Sequence, residues 1–173
     1  MSRSFRDPIE RMLDEAVGYL MLEMPTHALE ILRSKVDWSP KQFEACVLIG
    51  EALRSLDRFR DALQPLEKAA ALRPNDPGVA MALGWCYKRT NRLAQAIDAL
   101  ERARRAFPEY GLLRYNLACY WSLAGNLTKA LKELSAAIAL EPSLRDLIRE
   151  EADFDHIREL PEFRKLIVAK RLP

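Results

Sequence analysis

The sequence predicts an all-α chain of four helix hairpins arranged as a solenoid, and three observations predict it. Small residues recur at one register, with Ala28, Ala62, Ala96 and Ala130 each 34 residues apart. Leucines follow the same interval at Leu32, Leu66, Leu100 and Leu134. Prolines keep step at Pro40, Pro74, Pro108 and Pro142. Within the period Pro77 to Tyr110, Leu83 and Tyr87, then Ile97 and Leu100, have helical spacing. Asn91-Arg92 breaks that pattern between two helices, and Pro108 ends the second, because a residue before proline is biased away from the helical region. The first helices carry a small column, Ala16, Gly50, Gly84 and Ala118, and a bulky one, Tyr19, Leu53, Tyr87 and Trp121. Gly84, Ala96 and Ala103 mark where two helices approach closely.

Taken in order, residues 1–8 are polar and expected to be loose, and the repeats occupy 9–42, 43–76, 77–110 and 111–144. The first repeat departs from the pattern. Glu15 stands where Ile49, Leu83 and Leu117 stand in the others, and is expected to face water. Lys35 replaces the small residue of Ala69, Ala103 and Ala137, which puts the end of that second helix in question. Pro25 is placed to open the second helix of this repeat. Ser39-Pro40-Lys41-Gln42 reads as a capped helix start with a capping box, and Asp76-Pro77 as a similar cap for repeat three. Pro65 falls inside the second helix of repeat two and predicts a kink, at about 3 kcal/mol in a regular site. Gly125-Asn126 predicts a glycine stop to the first helix of repeat four.

Beyond Pro142 the period is lost. Residues 145–173 read as a helical capping segment. A short helix is expected to carry Leu144, Leu147 and Ile148 on one face. A turn with Phe154, Ile157 and Leu160 follows, then a last helix from Pro161 with Phe163, Leu166 and Ile167. An array exposes an apolar face at its end, and an extra helix covers it.

The 34-residue helix–turn–helix period over residues 9–144 resembles the tetratricopeptide repeat. The resemblance implies a right-handed superhelix with a concave binding face. It implies a protein or peptide partner without specifying which. It also implies that one stripe of the first helices lines the groove. That stripe offers Leu13 and Val17 in repeat one, and Val47 and Glu51 in repeat two. Repeat three offers Met81, Trp85, Lys88 and Arg89, and repeat four Leu112, Tyr115 and Cys119. Trp85 and Tyr115 are the expected aromatic anchors, with Lys88 and Arg89 at the rim facing partner acids. The clamp that co-chaperone arrays use for a terminal carboxylate is excluded. Its positions carry Leu13, Val17, Leu48, Gly78 and Ala82 in one frame, and Val47, Glu51, Ala82, Leu112 and Asn116 in the next.

Composition narrows the function class. The 27 basic and 25 acidic residues nearly cancel, so no nucleic-acid partner is expected. Arg54, Arg58, Arg60, Lys88, Arg89 and Arg92 nevertheless gather near the turns of repeats two and three. They read either as helix-end cations or as a rim that steers an acidic partner. Cys46, Cys86 and Cys119 lack metal-ligand spacing and read as buried small side chains in a reducing compartment. The N-terminus shows no secretory pattern and no run approaches a membrane span, so a cytoplasmic protein with no membrane partner is expected. No cofactor or metal is expected, and self-association through the groove or the cap is allowed. The reading is a non-enzymatic interaction module whose groove takes a segment with an apolar anchor. A small chaperone for a secretion or assembly factor is the alternative. From another class, an enzyme or metal site at Glu150, Glu151, Asp153, Asp155, His156 and Glu159 is the rival, although no hydrolase spacing is present and Arg145, Arg149 and Arg158 stand close enough to neutralise it.

Overall fold

Apolar residues at helical spacing, punctuated by proline, asparagine and glycine, produce helices and no strands among the described residues. The computed structural model describes residues 7–34 and 37–168. Expectations for residues 1–6, for Lys35 and for the chain beyond residue 168 lie outside them.

Two compact units divide the chain, Met1–Thr90 and Asn91–Pro173. The first holds α1 (Pro8–Met21), α2 (Pro25–Leu32), α3 (Gln42–Ser55), α4 (Phe59–Leu72) and α5 (Pro77–Arg89). The second holds α6 (Leu93–Ala106), α7 (Gly111–Leu123), α8 (Leu127–Leu140), α9 (Leu144–Glu150) and α10 (Pro161–Ile167). Short 3₁₀ turns occupy Ser39–Lys41 and Ala152–Ile157. The 34-residue period is present in the element ends themselves. First helices end at Met21, Ser55, Arg89 and Leu123, and second helices begin at Pro25, Phe59, Leu93 and Leu127.

Each hairpin turn places one residue in the left-handed region: Glu23, Asp57, Asn91 and Gly125, with φ of 56°, 55°, 60° and 73°. That conformation lets the chain reverse while bonding the last helical carbonyls. The following N–H reaches back five residues at Met24 to Tyr19, Arg58 to Leu53 and Asn126 to Trp121, at 2.8, 2.9 and 2.9 Å. Only Gly125 adopts this conformation without a Cβ penalty. Second helices stop for the reason proline dictates. Arg73, Phe107 and Glu141, each before a proline, leave the helix at φ −130°, −126° and −133°. Helix α2 is the exception and stops at Leu32, six residues before the place where the other three end.

Asp7 and Asp76 cap α1 and α5 by accepting from the N–H of Ile9 and Val79 at 3.0 and 2.9 Å. Asn126 serves α8 in the same way. Ser39 does not cap α3. Its hydroxyl and N–H both donate to Asp37, at 2.5 and 2.9 Å, so a 3₁₀ turn forms and α3 begins only at Gln42. The predicted capping box is therefore absent, the Ser39 side chain being turned towards Asp37 and accepting no N–H of α3. Pro65 lies inside α4, which continues through it from Phe59 to Leu72.

In the first unit α3 packs on α1, α2, α4 and α5. Gly50 makes its contact with α4 possible, since a Cβ there would lie 2.5 Å from two atoms of the fully buried Leu66. Ala28, Ala62 and Ala69 are fully buried, and the Tyr87 hydroxyl donates to Glu67 at 2.8 Å. Glu15 is exposed, as its place in the first helix predicts. In the second unit Ala96, Leu100, Ala103, Ala130, Leu134 and Ala137 have no exposed surface. Buried Glu133 of α8 is neutralised by Arg114 of α7 at 2.8 Å and by Arg104 of α6 at 3.6 Å. Removing one partner of such a pair is costly because the remaining charge stays out of water.

The C-terminal segment packs on α7 and α8. Leu144, Ile148, Phe154, Ile157 and Phe163 are buried, and Leu166 and Ile167 are half-buried. Leu147 departs from expectation. It is 54% exposed, because a helix of seven residues turns only Leu144 and Ile148, four apart, to the core. Arg149 donates to the carbonyl of Ile167 at 2.8 Å and so ties α9 to the end of α10.

Two substitutions test these contacts. Gly50→Ala should lower stability by about 1–3 kcal/mol, although alanine is the better helix former, because its methyl displaces Leu66. Glu23→Gly should raise stability by about 1 kcal/mol, because it removes a Cβ from a left-handed turn. Thermal melts of both variants read the two opposite signs.

Candidate functional site

Helices α1 and α3 leave an apolar cleft of about 560 Å³ between them. Its wall carries Leu13 and Val17 from α1 and Phe43, Val47 and Leu48 from α3. Val17 is 39% exposed, although it is a valine on a helix that buries Leu13 and Ala16. Three of the predicted groove residues, Leu13, Val17 and Val47, thus meet in one cleft. The charges around it are already matched within the chain. Lys41 pairs with Glu10 at 3.3 Å and Arg73 with Glu44 at 2.7 Å. Burial pushes the Glu44 carboxyl up, but its own backbone N–H, Arg73 and Lys41 outweigh that and hold it below the ordinary value. The Arg73 guanidinium also lies 3.7 Å from the centre of the Phe43 ring. Phe43 and Arg73 were not legible as site residues. Phe43 is four residues before Val47, and Arg73 reaches the cleft from the far end of the same hairpin, after α4.

Glu51 lies outside this cleft and is held by Arg54 at 2.8 Å. On α5, Met81 is half-buried and Trp85 is 39% exposed. Trp85 and Arg89 line a smaller, polar recess of about 390 Å³ with Arg54, Asp57 and Phe59. Lys88 and Arg89 were expected to face a partner's acids. Lys88 lies 5.3 Å from the Trp85 ring centre and Arg89 4.8 Å from that of Phe59.

In the second unit the predicted stripe is covered. Leu112 is half-buried, but Tyr115 and Cys119 are buried, at 8% and 2% exposure. They are not open groove residues. The Phe154 ring packs edge-on against Tyr115 at 6.3 Å, and the Tyr115 hydroxyl donates to Glu151 at 2.8 Å. Ser122, about two turns further along α7, donates to the carbonyl of Asp153 at 2.9 Å. The capping segment therefore covers the first-helix face of repeat four, where a partner was expected. Burial, then the Cys119 thiol and the Glu151 carboxylate, raise the Tyr115 hydroxyl above its ordinary value.

Three C-terminal acids hold ion pairs. Arg149 pairs with Asp146, Arg158 with Asp155 and Arg164 with Glu159. Cys119, Glu151 and Asp153 bring a sulfur and two carboxylate oxygens within 4.8 Å of one another. Glu151 spends one oxygen on Tyr115 and the other on the N–H of Asp153, capping the 3₁₀ turn. Cys46, Cys86 and Cys119 are free thiols, all buried. Burial pushes the Cys86 thiol up to about 11, which makes it a poor nucleophile. No described helix is long and apolar enough to cross a membrane.

Residues 53–113 match the tetratricopeptide repeat family, and the helix hairpins on either side of that stretch keep the same 34-residue period. Among curated proteins, the chain is 26% identical over 129 residues to BBSome complex member BBS4 of Bos taurus. The match covers 75% of this chain and 25% of that protein. It is 28% identical over 122 residues to the peroxisomal targeting signal receptor of Saccharomyces cerevisiae, covering 66% of this chain and 20% of the receptor. The chain thus spans about a quarter or less of the curated relatives it matches. Among solved structures, MamA residues 41 to the end from Desulfovibrio magneticus RS-1 superpose with a TM-score of 0.74 at 19% identity. That match covers 94% of this chain and 91% of the other. A crystal structure of MamA gives 0.72 at 22% identity, covering 83% and 84%. These likenesses establish the fold.

The Tyr115 contact generates a pH prediction. A hydroxyl whose pKa is raised by folding contributes stability that is present below the ordinary tyrosine value and lost above it. Tyr115→Phe should cost about 1 kcal/mol at neutral pH. The gap to the parent protein should narrow as pH rises past about 10. Denaturant melts across that range read both effects, and a gap that widens would remove the assigned role of the hydroxyl.

Proposed function

We propose that this protein is a non-enzymatic interaction module that holds a partner segment by an apolar anchor in the α1–α3 cleft. The observation that carries the reading is the cleft itself, about 560 Å³ with an exposed valine in its wall and rim charges already paired within the chain. A partner gains there by burying apolar area, and adding charge of either sign meets ions already satisfied. The volume accommodates a leucine- or phenylalanine-sized side chain with its flanking backbone. Trp85, on the same first-helix stripe of this unit, extends the contact if the segment is long. The tetratricopeptide fold is consistent with a scaffold for protein partners. One curated relative is by name a member of a complex and another a receptor for a targeting signal.

The test is affinity capture from the native host with the parent protein, Val17→Asp, Val47→Asp and Trp85→Ala. All variants are first shown to be folded by circular dichroism. Both aspartate variants should lose the captured partner by tenfold or more, a typical effect of about 1.4 kcal/mol or greater at an interface centre. Trp85→Ala should lose less. Full retention by both aspartate variants would move the site away from the cleft.

A further inference from the structure

A second surface of the first unit has a different chemistry. A cleft of about 600 Å³ is walled by the end of α2, one side of α3 and the outer side of α4. Its floor is apolar, formed by Cys46, Ile49, Leu53 and Pro65. Its rim is cationic, with Arg33, Arg58, Arg60 and Lys68 against a single acid, Asp61. Arg58 is spent on Asp61, at 2.6 Å. The side chains of Arg33, Arg60 and Lys68 form no ion pair or hydrogen bond among the described residues, and all three residues are exposed. This contrasts with the α1–α3 cleft, whose rim ions are matched. Elsewhere in the chain most arginines near acids are paired at i,i+3 or i,i+4 spacing, so three unmatched cations around one cavity form a local excess in a protein whose charges nearly balance.

Pro65 adds a second, independent feature. It lies in the interior of α4 and has no N–H to return to the carbonyl of Asp61, four residues earlier. Both residues line the cleft. The wall therefore sets unmatched cations above an apolar floor that includes the Pro65 ring. A peptide supplies complements to both: carboxylates and a bulky apolar side chain. A phosphate or a lipid headgroup supplies only the first.

We propose that the α2–α4 cleft is a docking site for an acidic peptide segment, one whose bulky apolar side chain enters the floor while flanking carboxylates meet Arg33, Arg60 and Lys68. This surface is separate from the α1–α3 cleft, so the two sites are independently removable. It rests only on the reading of the protein as an interaction module.

The experiment is selection of a random peptide library displayed on phage, using the folded full chain as bait. The clones recovered are then tested as labelled synthetic peptides by fluorescence anisotropy. Parent protein, the double variant Arg60→Glu/Lys68→Glu, the single variant Arg33→Glu and the α1–α3 variant Val47→Asp are compared. The charged side chains replaced are exposed, and circular dichroism establishes that each variant is folded. The proposal expects a class of peptides with aspartate or glutamate on both sides of a bulky apolar residue. Their binding should weaken about tenfold or more on charge reversal, fall with rising salt and remain unchanged in Val47→Asp. Failure to recover such peptides, or equal binding to the reversed variants, overturns it. So does a polyuridylate strand or a phosphatidylserine vesicle that binds the parent more tightly than every selected peptide and is lost on the same reversal, since the cleft is then a general polyanion surface. Peptides lost only in Val47→Asp overturn this site and leave the α1–α3 reading standing.

Discussion

Close approach of helices at small residues is the constraint on which the rest of the structure depends. Each hairpin is too small to bury an apolar face alone, so stability comes from neighbours. Gly50 lies so near Leu66 that a single methyl has no room, and the alanines in register with Ala62 have no exposed surface. Once helices meet at that distance, the turns between them must be short. The left-handed residues at Glu23, Asp57, Asn91 and Gly125 are what a short reversal requires. Tight packing and tight turning are thus one requirement expressed at two places in the period.

The same constraint decides which surfaces remain for function. Side chains at the hairpin contacts are consumed by packing. Those on the outer stripe of the first helices and on the outer side of α4 are not. In the second unit the chain also uses the first of these, since Phe154 and Glu151 lie on Tyr115. The first unit keeps an apolar cleft with matched rim ions on one side and a cationic cleft on another. The difference follows from sequence. Glu10 and Glu44 are within reach of Lys41 and Arg73, whereas the cations of α2 and α4 face one acid already taken by Arg58.

Most of the fold was legible because it is periodic. Alanine and proline columns located helix ends that the structure repeats at the same 34-residue interval, and Gly125 announced its own turn. What was not legible depends on contacts distant in sequence or on competition among neighbours. Ser39 has the chemistry of a cap, but its side chain turns to Asp37 and not to the N–H groups of α3. Tyr115 and Cys119 fall on the same stripe as Val17 and Val47, and no local signal shows that a segment 36 residues beyond Tyr115 covers them. Leu147 matched a helical face, yet it lies to one side of the Leu144–Ile148 line that faces the core. Pairing of rim ions was equally invisible, since Arg73 reaches Glu44 from 29 residues away.

The central claim is that the open α1–α3 face, and not the covered face of α7, receives the partner. Methyl-resolved NMR of the full chain with a captured partner tests it most directly. The account predicts that the methyl signals of Val17, Val47 and Leu48 shift on addition while those of Leu113 and Leu117 on α7 stay in place. Shifts confined to α7 and to the Ile148 and Ile157 methyls of the capping segment, with Val17 and Val47 unmoved, would contradict it.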